Sequence, residues 1–167
     1  MRAITQEELS QILADHALWL DDQRTGERAQ LEYSNLHRAN LHLANLHRAN
    51  LHHAALHRAE LTDANLTGVD LSYSNLVDTN LADANLTDAN LSGANLSYSN
   101  LVDTNLIGVN LAGANLTGVH LAGAKFGLNI IDAASIYHAT FSKDALIWLI
   151  LRDDWAKVKD TVKIVDN

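Results

Sequence analysis

LTDANLTGVDLSYSNLVDTNLADANLTDANLSGANL, residues 61–96, is built from one unit of five: a small side chain, Asn or Asp, Leu, then two residues that vary. Outward from this stretch the register runs unbroken from Leu31 to Leu121, nineteen leucines at intervals of five. Phe126, Ile131, Ile136 and Phe141 continue it with other apolar side chains. Two residues before each of these positions, from Ala29 to Ala124, stands only Ala, Ser, Thr or Val.

A period of five fits neither regular helix nor regular strand. On a helix, at ~100° per residue, successive leucines step ~140° around the axis and form no stripe. On a strand, leucines five apart point to opposite sides. Each unit must therefore contain a turn. If every unit turns the same way, leucines and small residues face one interior and the chain winds into a solenoid.

The segments ANLTDANLSGANL, residues 84–96, and LIGVNLAGANLTGVHL, residues 106–121, resemble the pentapeptide-repeat family. The resemblance covers roughly residues 29–141. It implies an all-β right-handed quadrilateral β-helix, four units to a coil, with the leucine and the small residue inside. The expected organisation is an N-terminal helical cap over 1–28, the β-helix over 29–141 and a C-terminal helical cap over 142–167.

Composition is that of one domain with enough apolar content, 47%, for a core. No cysteine occurs, which removes disulfides, thiolate catalysis and Cys-based zinc sites. The longest apolar run near either end, Ala145 to Leu151, is far short of the ~20 residues of a spanning helix. No membrane association is expected, and the chain reads as cytoplasmic or as a mature exported protein. A net charge of −8 disfavours direct binding to nucleic acid. The charge is unevenly spread: Ala59–Ala124 holds seven acids and no Lys or Arg, whereas Leu31–Ala59 holds three arginines, six histidines and one acid.

Residues 5–22 suit an amphipathic helix, opened by a Thr5/Glu8 capping box and closing the apolar end of the first coil. Its apolar set includes Leu13 and Trp19, the latter the expected anchor. At the other end Asn129 stands where a small residue belongs and marks a distorted last coil. Ser142 then opens a helix to about Arg152. Trp148 is among its apolar residues; one face is expected to cover the open coil and another to meet Trp155 and Val158 of the following segment or a second copy, so the chain is a monomer or a dimer through this cap.

Four units to a coil stacks residues twenty apart, about one strand spacing of ~4.8 Å. His37 then lies above His57, Arg38 over Arg58 with Asp78 following, and Tyr33 over His53 and Tyr73. Asp63, Asp83 and Asp103 form an acidic column, with Asp88 on the neighbouring side. His37, His42, His47 and His52 point apart, too dispersed for a closed metal site, so no metal or cofactor is expected. LSYSNLVDTNL, residues 71–81, recurs unchanged at 96–106, offset by five units, which moves the copy one side around instead of stacking it.

No phosphate-binding glycine loop, Walker sequence or His-Glu-x-x-His motif is present. The expected role is non-catalytic: a scaffold whose variable positions, chiefly the acidic column and the His37/His57 and Arg38/Arg58 pairs, select a protein partner whose identity the sequence does not give. The alternative is duplex-DNA mimicry toward a DNA-handling enzyme such as gyrase, as in the quinolone-resistance members of the family. A third possibility is a pH-dependent element built on the clustered histidines.

Overall fold

The computed structural model describes residues 1–125, together with the backbone of 140–142 and 163–165. Within each unit one turn bends the chain. The amide of the small residue donates to the leucine carbonyl three residues back, as from Ala39 to Leu36 at 2.9 Å and from Ala94 to Leu91 at 3.0 Å. The second variable residue has positive φ in every unit, from Tyr33 at 54° to Gly123 at 70°. That is the arrangement of a type II turn, whose third position must be left-handed.

Asparagine before the leucine completes the turn. Asn80 Oδ1 accepts the Ala82 amide at 3.3 Å, and Asn100 Oδ1 accepts that of Val102 at 3.1 Å. A short side chain with a carbonyl is what this local bond demands. Asp and Glu at this position keep the bond, from Ser72 N to Asp70 Oδ1 at 3.0 Å and from Thr62 N to Glu60 Oε1 at 3.3 Å, whereas Ala55 cannot make it.

The remaining amides join coil to coil. Leu31 N donates to Asn50 O at 2.7 Å, Tyr33 N to His52 O at 3.0 Å and Asn50 N to Ala29 O at 3.0 Å. Parallel bridges repeat at the same interval, Gln30 with Asn50, Asn50 with Asp70, Asp70 with Asn90 and Asn90 with Asn110. Twenty residues therefore make one coil of four units. In a unit such as Ala64–Gly68 all five amides have a place in this scheme, whereas the carbonyl of the second variable residue accepts none of them.

The interior is a column of leucines, fully buried from Leu31 through Leu106, lined by buried small residues such as Ala49, Ala54, Val69 and Ala94. Polar small residues are accommodated by carbonyls: Thr79 Oγ1 donates to Leu56 O and Thr104 Oγ1 to Leu81 O, both at 2.9 Å. Ser74 Oγ donates to Leu71 O at 2.6 Å, whereas Ser99, its counterpart in the duplicated segment, has no partner for Oγ.

At the N-terminal end β1 (Arg2–Ala3) pairs in parallel with β2 (Ser34–Asn35), and α1 (Gln6–Asp21) follows with the expected capping box. Leu9 is buried in the core and Ile4, Ile12 and Leu13 pack against it. At the far end β3 (Asn115–Leu116) pairs with β4 (Thr140–Ser142), and β4 with β5 (Lys163–Val165). Leu116 is matched with Phe141 and Phe141 with Ile164, intervals of 25 and 23 residues in place of 20. The twenty-residue interval therefore does not hold between Leu116 and Phe141 or between Phe141 and Ile164. Lys163–Val165 is a strand inside the segment 142–167 that the sequence reads as a helical cap. Asn129, Trp148, Trp155 and the helix expected after Ser142 lie outside the described residues.

Candidate interaction surface

The variable side chains sit in the turns, not on flat sides; the sides between turns carry the asparagine position. Each coil therefore displays four corners, and residues twenty apart form a column at each corner. On the first corner the Tyr33, His53 and Tyr73 rings stack with centroids 5.1 and 5.2 Å apart and planes within 16° and 19°. On the next, His37 stacks on His57 at 5.1 Å, and Arg58 reaches Asp78 at 3.4 Å. Arg38 stands above Arg58 in that column, exposed.

The third corner carries Leu43, then Asp63, Asp83 and Asp103, all exposed, ending on Gly123. Asp88 lies on the fourth corner, between Gly68 and Gly108. Among the described residues none of these four aspartates makes an ion pair; the pairs present are Arg2–Glu8, Arg24–Asp22 and Arg58–Asp78. The acidic column is therefore exposed, with its charge uncompensated by any ion pair among the described residues.

The columns lean in one direction, each side chain lying over the turn of the coil that follows. Tyr73 covers Gly93, Tyr98 covers Gly118, and the carboxylates of Asp88 and Asp103 cover Gly108 and Gly123. The duplicated segment thus moves a Tyr-over-Gly pair from one corner to the next. This rule is absent from the expectations above, although its signal is in the sequence. All six glycines between Leu31 and Lys125 (Gly68, Gly93, Gly108, Gly113, Gly118, Gly123) fall at the second variable position, where positive φ is required.

The histidine band and α1 complete the surface. Trp19 is half-buried and stacks on His16 at 5.5 Å, while the fully buried residues of α1 are Leu9 and His16. His16 was not among the expected anchors, yet Leu9, Ile12, Leu13 and His16 follow the i, i+3, i+4, i+7 stripe of one helix face. Burial pushes the His16 imidazole below the ordinary histidine range. Among the described residues no group of three or more His, Cys, Asp or Glu is gathered for a metal, and no helix is long and apolar enough to cross a membrane.

A search of curated proteins gives no match. Among solved structures, a pentapeptide-repeat protein from the Arabidopsis thaliana thylakoid lumen is 35% identical over 56% of this chain and 65% of its own, with a TM-score of 0.55. The chain thus spans somewhat less than two thirds of that relative. A pentapeptide-repeat protein from Nostoc Pcc 7120 is 30% identical over 71% of this chain and 86% of its own, TM-score 0.47. A third, Rfr23 from the cyanobacterium Cyanothece 51142, is 31% identical over 70% and 97%, TM-score 0.43. The family model for pentapeptide repeats matches residues 27–63, 64–101 and 99–127. With the five-residue turn, the four-unit coil and the inward leucines already seen, the chain belongs to the pentapeptide-repeat family and takes its right-handed quadrilateral β-helix.

Proposed function

We propose that the chain is a non-catalytic scaffold that docks a basic protein surface along the Asp63–Asp83–Asp103 column. In this reading the β-helix of residues 29–141 is closed by caps at 1–28 and 142–167. The observation that carries it is an exposed line of three carboxylates without ion-pair partners among the described residues, held on a frame joined coil to coil by backbone hydrogen bonds. Stacked like charges repel. A basic partner relieves that repulsion, so complementarity here supports both docking and selectivity.

Charge reversal tests the reading. Arg38, Arg48 and Arg58 already occupy the same left-handed position in their own turns, so arginine is compatible with the backbone there. Asp63→Arg, Asp83→Arg and Asp103→Arg together are expected to abolish capture of the native partner. Partners retained by the triple variant would exclude the column as the docking surface.

Duplex-DNA mimicry is favoured by one feature, the seven acids without a Lys or Arg in Ala59–Ala124. The acidic stretch is short for that role: from Asp63 to Asp103 it spans two coil spacings, ~10 Å, the length of duplex that carries about six phosphates at one charge per ~1.7 Å, and the coil before it carries Arg38, Arg48 and Arg58. A gyrase supercoiling assay separates the readings, since a scaffold leaves supercoiling unchanged and a mimic inhibits it.

A further inference from the structure

Seven histidines lie from His16 to His57, and the five whose rings make hydrogen bonds are of two kinds. His37, His42 and His57 each lean on a carbonyl of the following coil, with Nδ1 2.8 Å from His57 O, 3.0 Å from Thr62 O and 2.8 Å from Val77 O. A carbonyl only accepts, so Nδ1 carries the hydrogen, and the bond is available to the neutral and to the charged ring alike. His52 behaves the same way. Ser72 commits its one hydroxyl hydrogen to Asp70 Oδ1 at 2.6 Å, which leaves His52 Nδ1, 2.7 Å from Ser72 Oγ, as the donor.

His16 is the reverse. Its ring is fully buried between α1 and the first coil and stacks on Trp19. Nδ1 accepts the Ala29 amide at 3.2 Å, and Nε2 has no hydrogen-bond partner. Acceptance at Nδ1 requires the neutral ring with its hydrogen on Nε2. A second proton can bind only at Nδ1, on the lone pair that the Ala29 amide already uses. Charging the ring in place would set two N–H groups against each other in a buried site.

The surroundings offer one compensation, the His47 backbone carbonyl, and it is smaller than the cost of burial. The charged groups that act on the ring are His47, from the coil beneath, and Arg28, from the segment after the helix, and both oppose a further positive charge. The acids of α1 itself, Glu7, Glu8, Asp15 and Asp21, do not act on it; the Asp15 carboxylate accepts from Gln11 Nε2 at 3.2 Å.

We propose that His16 is a proton-operated latch: neutral, it pins α1 to the first coil through the Ala29 amide, and protonated, it releases the helix. Release uncovers the apolar end of the solenoid that Leu9, Ile12 and Leu13 cover. In the released helix the ring returns to an ordinary pKa near ~6.5. Docking is therefore at full strength above about pH 6.5 and weakens as pH falls through that value, about tenfold per unit until the lowered pKa of the docked ring is reached.

The test is amide hydrogen exchange of the full chain between about pH 7.5 and about pH 5, above the range where carboxylates titrate. Protection factors at Ala29 and across α1 are expected to fall with pH in the native chain and in His37→Gln. They are expected to stay level in His16→Asn, whose Oδ1 accepts the same amide and does not titrate. Level protection in the native chain, an unchanged fall in His16→Asn, or loss of the fall in His37→Gln would overturn the latch. Should His16→Asn fail to dock α1 at any pH, the ring resonances of the native chain decide. A His16 titration midpoint below those of the other histidines supports the proposal, and an equal midpoint refutes it.

Discussion

The Tyr73 ring lies over Gly93 so closely that a methyl group on Gly93 would stand 2.6 Å from Cδ1 and Cε1. One coil on, Gly113 has only the Gly93 backbone above it, at 3.9 Å or more. Both glycines have positive φ, at 65° and 69°. Alanine at either site carries the left-handed penalty of roughly 1–2 kcal/mol. Gly93→Ala must also push Tyr73 off its stack on His53, a further loss of roughly 0.5–1.5 kcal/mol. Denaturant unfolding should therefore rank Gly93→Ala below Gly113→Ala, and equal costs would show that the ring can move aside freely.

Asparagine contributes in two ways that mutation can separate. Asn100 Oδ1 accepts from Val102 N at 3.1 Å, and its Nδ2 donates to Asn80 Oδ1 at 3.0 Å, linking two coils. Asn105 makes the first kind of bond, to Ile107 N at 3.2 Å. Its neighbour one coil back, Asn85, already has Oδ1 engaged by Thr87 N and Thr87 Oγ1. At about 0.5–1.5 kcal/mol per bond, Asn100→Ala is expected to cost roughly twice as much as Asn105→Ala in thermal unfolding. Equal losses would mean that the inter-coil amide ladder adds nothing.

The leucine register and the family resemblance together made the coil legible, including His37 over His57 and Arg58 over Asp78, because a fixed period leaves one stacking partner for each residue. The turn chemistry was legible in principle through the glycines, which gather where φ is positive. It was obscured because Tyr33, Arg38, Leu43 and His53 occupy the same left-handed position, and their identities do not suggest it. His16 was hidden for a different reason. A helix with Leu18, Trp19 and Leu20 near its end presents apolar residues on more than one side, and only the packing against Ala29 selects the face that carries a histidine. After Lys125 the five-residue pattern persists in sequence, but pairing Leu116 with Phe141 takes 25 residues, so period alone could not give the register of the last coils.

Asp83 stands between Asp63 and Asp103 in one column, at φ 59°. Asn is among the side chains that best tolerate left-handed backbone, so Asp83→Asn removes the charge without straining the turn. At low ionic strength it should stabilise the chain by up to about 0.5 kcal/mol, within the range for like charges placed directly opposite. The gain should vanish near 1 M salt, where screening acts over ~3 Å. A melting temperature that falls, or a gain indifferent to salt, would refute repulsion along the column. The same variant should weaken capture of a basic partner, so at this position stability and binding should move in opposite directions.

A second acid-sensitive contact holds the other end of α1 and can be told apart from His16 by its pH range. Glu8 N donates to Thr5 Oγ1 at 3.1 Å, Thr5 N donates to Glu8 Oε2 at 2.9 Å, and Arg2 reaches Glu8 Oε1 at 3.1 Å. The Thr5 amide first, and then Arg2, hold the Glu8 carboxyl below the usual carboxylate range. A lowered carboxylate pKa contributes stability above its unfolded value of ~4.3 and loses it as pH falls through the lowered value. Glu8→Gln keeps an acceptor for the Thr5 amide but cannot titrate, so protection of α1 should lose its pH dependence below about pH 4.5 while keeping the higher-pH change assigned to His16. Thr5→Ala, by contrast, removes the cap at every pH, at a cost of about 1 kcal/mol. Because β1 pairs with β2 directly before this cap, weaker protection should extend to Arg2 and Ala3. Hydrogen exchange on His16→Asn, Glu8→Gln and the double variant should show the two pH ranges disappearing independently, and a single shared transition would mean that one group controls both.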